Sequence, residues 1–487
     1  MAFRPRGSDR QSGHAVAGGA ARAGDAGNVV FSVQPAVVPR DGMTGSSLDR
    51  LGLPALAFPR YRVFFVSNLF ANLGIFVFMA SFGWFIQEET GSAAMVGLAS
   101  SIMGLPWLIL MLHAGMLTDR YGSGALLAIS LVGGGLVMAV VAGVSLMPEP
   151  SVPLVLAAAL LMGVLMTIGA PGSVSMVTEL VPPAAMSSAV SLNFLLLNAA
   201  RIGGGIGTGL LLGGSRPAGV AILVAAALFA LPGIPIWHIR SRAPIPAPGR
   251  VMLLRPILEA GLHAVRYPTL GMILLLSAGP GLVGLPYNFL LPVAAVELGI
   301  GPEGLGVLLA AAGVGGLVAG LAAEHLQRRL GHGRGILLGL LLAAGGLIGF
   351  GIAPTVPLAV ASIGFLGGGL VIYAAASLTL VQALAPPQLR GRLTSVFSLL
   401  YWGLMPVGGL LGGLSAQAFS ARTTTLAAGL LLVGLGLLAT LRRPQILTLA
   451  VSRDGRRIAG NLAGSGVRDS AGGATVALAA SKREGYR

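Results

Sequence analysis

From residue 62 to residue 441 the chain is a succession of apolar runs, each separated from the next by Pro, Gly or charged punctuation. A helix needs about 20 mostly apolar residues, at 1.5 Å rise each, to cross a hydrocarbon layer. Runs of that length can be cut twelve times, at 62–86, 94–117, 124–146, 152–177, 187–212, 217–239, 268–295, 303–323, 334–353, 356–382, 394–419 and 422–441. Twelve transmembrane helices are therefore predicted, an all-α membrane protein with both ends of the chain on one side. The runs divide the chain into a six-helix half over 58–239 and another over 268–442. Residues 1–57 are Gly, Ala, Arg, Asp and Pro without apolar period, which predicts a disordered arm, and 443–487 predict a disordered tail. The first long apolar run begins only at Arg62, too late for the core of a signal peptide, so it is expected to stay in the membrane as the first span. Between the halves, 240–267 opens as a Pro-rich linker. Within it, Val251 to Val265 spaces apolar residues helically around Arg255, Glu259 and His263, the pattern of a helix lying on the membrane surface; a solvated loop fits the same residues.

The two halves are copies. The Leu180–Leu210 stretch LVPPAAMSSAVSLNFLLLNAARIGGGIGTGL returns as LAPPQLRGRLTSVFSLLYWGLMPVGGLLGGL at Leu384–Leu414. Gly and Leu are common throughout, so the weight rests on Pro182-Pro183 and Pro386-Pro387, 204 residues apart and the only two Pro-Pro pairs, with Ser191 and Ser395 in the same phase. Gly115 and Asp119 in GMLTDR are matched by Gly320 and Glu324 in GLAAEH, 205 residues on. Internal repeats of this size are the build of many membrane carriers.

Composition confirms the class and removes alternatives. Charged residues make up 10% against roughly 25% in a soluble domain, and mean hydropathy is +0.86. No Cys is present, which excludes disulfides, thiolate metal sites and Cys-linked lipid anchors. The only Lys is Lys482, so no Gly-Lys-Ser/Thr phosphate loop exists and ATP hydrolysis through that motif is excluded. Of the 31 basic residues, 28 fall on the side shared by the termini, leaving Arg216 and Arg422 opposite and Arg201 inside a span. This asymmetry predicts cytoplasmic termini in a plasma (inner) membrane. The net charge of +15 is accordingly topological, and nucleic-acid binding is not expected, because the basic residues spread over a membrane face without interleaved aromatics.

Several of these features together resemble a known family. The twelve spans in two halves, GMLTDR after the second span, LVPP and LAPPQLRGR before the fifth and eleventh, and the Gly-rich fifth span are similar to the major facilitator superfamily. FPRYRVFFVSNL, the TGSAAMVGL loop and LVQALAPPQLRGRLTSVFSLLYWGLMPVGGLLGG resemble the branch of enterobactin-exporter and macrolide-efflux-like carriers. The resemblance implies a secondary active transporter working by alternating access, an antiporter exporting a small amphipathic siderophore- or drug-like molecule against protons, as a monomer without cofactor. An importer, or a transport-inactive receptor, scaffold or lipid-handling protein on the same frame, are the other readings. No span assembles an acid, a base and a nucleophile, so an enzyme is not expected. The chain departs from the pattern twice: Ser123 and Gly124 stand where basic residues are usual, and Gly204 is followed by Gly205 where exporters carry Gly-Pro, the Pro occurring only as Pro406.

Candidate residues follow from the cost of polarity in hydrocarbon. Asn68 and Asn72 lie one turn apart on the first span; Asn198, Arg201, Asn288, Tyr373 and Trp402 complete the predicted substrate cavity, with Ser377, Trp107 and Tyr401 as further lining. Each single Asn can equally be an interhelical hydrogen bond. Arg201 is expected at mid-membrane, 14 residues or about 21 Å in from Ser187, facing a carbonyl, Asn72, Asn198, water or an anionic substrate. Gating is assigned to Gly115, Asp119, Arg120, Gly320, Glu324, Arg390 and Arg392, the carboxylates capping the N-terminal dipoles of the eleventh and fifth spans when that mouth is closed. Gly203, Gly205, Gly207 and Gly209, which hold two GxxxG spacings, and Gly409 and Gly413 are expected to pack helices closely. No carboxylate lies at mid-span, so proton coupling is expected at an end-of-span acid such as Glu297 or Asp119, or is loose. His113 and His325 stand alone, and no metal set is predicted.

Overall fold

The computed structural model describes residues 53–213, 217–240, 268–386, 389–451 and 458–459. Its twelve membrane-length helices are α1 (Pro59–Thr90), α2 (Ala93–Tyr121), α3 (Ser123–Ser145), α4 (Val152–Leu180), α5 (Met186–Leu212), α6 (Ala218–Ile239), α7 (Pro268–Glu297), α8 (Gly301–Leu330), α9 (His332–Ile352), α10 (Val356–Leu384), α11 (Arg390–Ala418) and α12 (Ala421–Arg442). Each coincides with one predicted apolar run. They differ at the ends, where helices continue past the apolar stretch into polar turns; α8, for example, reaches Leu330. Below, the near face is the one where α1 begins and α12 ends, and the far face is the opposite one.

In the first half α1 packs on α5 and α6, α3 on α4 and α6, and α2 on α4; the second half repeats the scheme, with α9 against α10 and α12 and α8 against α10. Small residues allow these approaches. A Cβ on Gly135 would meet Ala226 O at 2.9 Å, and one on Gly346 would meet Ser362 O at 2.6 Å. Association in lipid depends on such close packing, since the tails are as apolar as the side chains. The outward surface is correspondingly apolar and open, as at Leu210, Leu275 and Phe365.

Two near-face turns show the duplication and a departure from it. Gly122 (φ 89°) joins α2 to α3 and Gly331 (φ 83°) joins α8 to α9, both in a backbone region that side chains disfavour. From Gly115 to Gly122 is seven residues and from Gly320 to Gly331 eleven, so α8 runs about one turn further past its matched glycine than α2 does.

The halves differ more deeply in α7 and α11. The first-half counterparts α1 and α5 are continuous helices. In contrast α7 widens to a π-turn at Pro280–Gly284 and α11 at Leu399–Gly403. Pro280 and Pro286 cannot donate backbone hydrogen bonds, and Leu285 N reaches back five residues to Pro280 O at 2.7 Å. The two widened turns lie against each other: a Cβ on Gly281 would strike the carbonyls of Leu400 and Tyr401, and one on Gly408 that of Leu282.

Two expectations about the ends change. Residues Pro54–Ala57 form a 3-10 turn with Ala55 buried, where the sequence puts the end of a disordered arm. After α12, Pro444–Thr448 is a 3-10 turn and Ala450–Val451 pairs with Ile458–Ala459, where a disordered tail is expected. The apolar side chains of Ile446 and Leu449 explain the ordering. They are buried at the start of α9, where Gly333 N donates to Leu449 O at 2.9 Å. The proposed surface helix at Val251–Val265 lies outside the described residues.

Candidate functional site

The halves meet along two crossings, α5 on α8 and α2 on α11. At the far face both are closed. Gly205 approaches Gly306 O and Ala310 N so that a Cβ would stand 2.8 and 2.7 Å away, and Gly209 lies over Gly306 and Glu303. On the other crossing a Cβ on Gly97 would meet Gly409 O at 2.6 Å, and one on Gly413 would meet Ala93 O at 2.7 Å. Polar bonds reinforce this closure. Ser92 Oγ donates to Gln417 Oε1 at 3.0 Å, and the Ser101 hydroxyl lies 2.6 Å from both Gly97 O and Pro406 O.

The predicted packing glycines thus divide by face. Gly205 and Gly209 join the halves, whereas Gly203 and Gly207 lie under Leu73 and Val77 of α1, within the first half. Gly413 meets α2, and Gly409 lies between Phe289 and Ser101.

At the near face the α2–α11 crossing parts. Nothing lies within 4 Å of a Cβ on Gly115 or Gly391, and Asp119, Arg390 and Arg392 are exposed. Among the described residues Asp119 makes no hydrogen bond or ion pair. Arg120 lies over the ring of its neighbour Tyr121 at 5.3 Å. Glu324 pairs with Arg328 in the extra turn of its own helix, so the latch to α5 is not formed in this state. On the α5–α8 side contact extends further, with the Phe194 ring occupying the space beside Gly320. The departures at Ser123 and Gly124 also find a local reason: Ser123 Oγ donates to Glu179 Oε1 at 2.6 Å, and the Arg240 side chain fills the space a Cβ on Gly124 would need.

Between the closed far ends and the parted near end of the α2–α11 crossing lies the mid-membrane group. Arg201 is the sixteenth residue of the 27-residue α5. It is half-buried, its guanidinium 5.4 Å from the centre of the Phe76 ring, and among the described residues it donates no hydrogen bond. Neither amide expected to partner it accepts a hydrogen bond from it among the described residues. Asn72 Nδ2 donates to Asn68 Oδ1 at 2.9 Å and Asn68 Nδ2 to Asn193 Oδ1 at 3.1 Å, an amide chain fastening α1 to α5. Asn198 is buried, donates to Phe194 O at 3.0 Å and presses its carbonyl oxygen towards Gly316 of α8, so it belongs to the α5–α8 contact and not to the cavity.

The second half contributes aromatic side chains. Tyr401 stacks between Phe397 at 5.6 Å and Tyr373 at 6.1 Å, and its hydroxyl donates to Leu370 O at 3.1 Å. Tyr373 is fully buried behind it, donating to Ser277 Oγ at 3.2 Å, which corrects its assignment to the cavity lining. Trp402 stands edge-on to Tyr401 at 5.0 Å and is 44% exposed. Asn288 is half-buried and donates to Leu285 O at 3.1 Å. Its neighbour Tyr287, which polarity in the sequence did not single out, is 3% exposed; its hydroxyl lies near Asn288 but outside hydrogen-bonding geometry, without a partner. Both Tyr287 and Tyr401 are within electrostatic reach of Arg201. The signal for Tyr287 was the Pro280-Gly281 and Pro286 pattern, which breaks α7 just before it.

Glu297 is likewise placed. Its carboxylate accepts from Ala421 N at 2.7 Å and Arg422 N at 3.3 Å, capping the start of α12 where the helix dipole is positive.

The sequence pattern of the transmembrane secretion effector family matches residues 52–459. The chain belongs to that family, within the major facilitator superfamily. It is a multi-pass membrane transporter and not an enzyme. The enterobactin exporter EntS of Citrobacter koseri is 24% identical over 393 residues, 79% of this chain and 92% of that protein. Among solved structures, a bacterial homologue of the human lysosomal transporter Spinster, inward-facing and unoccupied, matches with a TM-score of 0.62 at 16% identity, over 82% of this transporter and 98% of that chain. A POT family transporter in complex with 5-aminolevulinic acid gives 0.65 at 11% identity, over 79% and 96%. A bacterial homologue of the iron transporter ferroportin in an inward-facing state gives 0.61 at 17%, over 78% and 98%. At these identities the solved structures speak for the fold alone.

Proposed function

We propose that this transporter works by alternating access and exports a small amphipathic molecule, siderophore- or drug-like, from the cytoplasm across the inner membrane in exchange for protons. The observation that carries the reading is the state of the α2–α11 crossing, closed by Gly97, Ser101 and Gly413 at one face and parted around Gly115 and Asp119 at the other. A helix pair that is sealed at one end and free at the other is half of an alternating-access cycle. The basic residues gathered at the near face support a cytoplasmic orientation for it, which makes this the inward-open state. Likeness to an enterobactin exporter supports export. The absence of a phosphate loop supports an ion gradient as the energy source. Of the two acids considered for coupling, Glu297 is tied to the α12 backbone, so Asp119 is the better placed.

Everted inner-membrane vesicles test the reading. A chemically diverse set of amphipathic compounds is offered with and without an acid-inside pH gradient. Accumulation of at least one compound that collapses with a protonophore is the expected result; binding without gradient-dependent movement for any compound would make the protein a receptor on a transporter frame.

A further inference from the structure

We infer that Arg201, Tyr287 and Asn288, walled by the rings of Phe76 and Tyr401, form a recognition site for a carboxylate borne on a flat organic body. The inference rests on the reading that the space between the halves carries the substrate. It begins with an imbalance of donors. A guanidinium offers five N–H groups and accepts nothing, and the contact of Arg201 with the face of Phe76 uses none of them as hydrogen bonds. Tyr287 adds a hydroxyl that is buried and unpartnered, and Asn288 brings an amide nitrogen that gives one of its two hydrogens to Leu285 O and keeps the other. The protein supplies no anion in return. Asp and Glu number 16 in the whole chain, and none lies at mid-span. Asn72 and Asn198, the neutral side chains whose amide oxygens could have served Arg201, accept no hydrogen bond from it among the described residues, and their nitrogens bond within α1 and α5.

Charge held at this depth is disfavoured unless something compensates it. A carboxylate fits best, because its two oxygens match the planar fork of Arg, and Tyr287 lies within reach of the same charge. The aromatic walls set the shape. Phe76 lies under the guanidinium at 5.4 Å, and Tyr401, stacked on both faces, bonded to Leu370 O and buried, is a rigid aromatic backing. The site also adjoins the far gate. Gly205, one turn beyond Arg201, packs on Gly306 and Ala310 of α8, and a Cβ on Gly313 would stand 3.3 Å from Arg201 Cγ. A bound carboxylate would therefore sit where it can bias the gate.

The test uses the full chain in phosphatidylcholine nanodiscs and calorimetric titration with 2-naphthoate and its neutral counterpart 2-naphthamide. Wild type should bind the acid at least ~10-fold more tightly than the amide, as expected for a charge-assisted bond. Arg201→Lys should remove that preference, and Tyr287→Phe, which conserves volume, should weaken the acid by roughly 3-fold to 10-fold while leaving the amide unchanged. If Arg201→Lys does not fold, the acid-to-amide ratio in Tyr287→Phe decides alone. Equal affinity for acid and amide, or a preference that survives these substitutions, overturns the proposal. So does phosphatidylglycerol in the nanodisc displacing 2-naphthoate from wild type, which would make the group a lipid-phosphate site. Carboxylate-selective binding with no gradient-driven movement would contradict the transport reading and leave this one standing. Gradient-driven export of neutral compounds by Arg201→Lys as well as wild type would do the reverse.

Discussion

The two halves share a sequence pattern and a helix arrangement, yet they bring different chemistry to the middle of the membrane. In the first half α1 and α5 are continuous and carry the amides Asn68, Asn72 and Asn193 and the cation Arg201. In the second, α7 and α11 are widened at Pro280–Gly284 and Leu399–Gly403, and they carry Tyr287, Tyr401 and Trp402. At the 204-residue register Met405 is the counterpart of Arg201, Trp402 of Asn198 and Pro406 of Ile202. Duplication supplied the frame, and divergence gave one side charge and the other rings. A symmetric pair of arginines would repel across the axis, and a single arginine opposite an aromatic second half avoids that repulsion.

The largest expected effect separates the halves by how they are packed. Gly281→Val places a side chain into the carbonyls of Leu400 and Tyr401, backbone that cannot step aside, and should cost about 3 kcal/mol or more. Gly203→Ala meets only the flexible end of Leu73 at 3.1 Å and should cost under about 1 kcal/mol. Melting temperatures in detergent compare them directly; equal losses would show that the widened turns are no tighter than the continuous helices.

Next comes the crossing between halves. Gly413→Val would strike Ala93 O and Gly97, which moving α11 away from α2 relieves. With about 1–3 kcal/mol against closure, far-face cysteine reporters introduced into this Cys-free chain should label at least several-fold faster. Unchanged labelling would mean the crossing accommodates the side chain without opening. A smaller shift, about 0.3–2 kcal/mol, is expected for Asp119→Asn. Asp119 has no partner in the near-open state among the described residues, so its loss can only weaken the near-closed one, and near-face reporters should label faster. Slower labelling would reverse the role given to Asp119. The smallest effect is for Glu297→Gln, which weakens the cap on α12 by roughly 0.3–1 kcal/mol. It should lower the melting temperature slightly while leaving any dependence of transport on the pH gradient intact; loss of that dependence would return Glu297 to coupling.

What was legible in the sequence follows from how strictly each feature is constrained. Hydrocarbon thickness fixes span length, so the twelve helices and the duplication could be read directly. GxxxG spacing announced close packing in α5, but it could not say that Gly205 and Gly209 face α8 while Gly203 and Gly207 face α1. Polarity nominated Asn198 and Tyr373, yet a polar side chain within a span can serve a helix contact as well as a cavity, and both serve contacts. Tyr287 was passed over for the more polar Asn288 beside it, because the consequence of a Pro-broken helix lies in where it re-aims the next side chain. The extra turn of α8 was hidden between Glu324 and Gly331, where a four-residue insertion changes no apolar run but gives Glu324 an intrahelical partner that Asp119 lacks.

The central claim is that the α2–α11 crossing opens at one face as it closes at the other. Pairs of spin labels on cysteines placed at Asp119 and Arg390, and separately at Ser92 and Gln417, report the two ends by distance. Without substrate or gradient the near-face pair should be long and the far-face pair short; with an exported compound and an acid far side a second population should appear in which both distances reverse together. Two ends that change independently, or a far-face distance that stays short under every condition, would contradict the account.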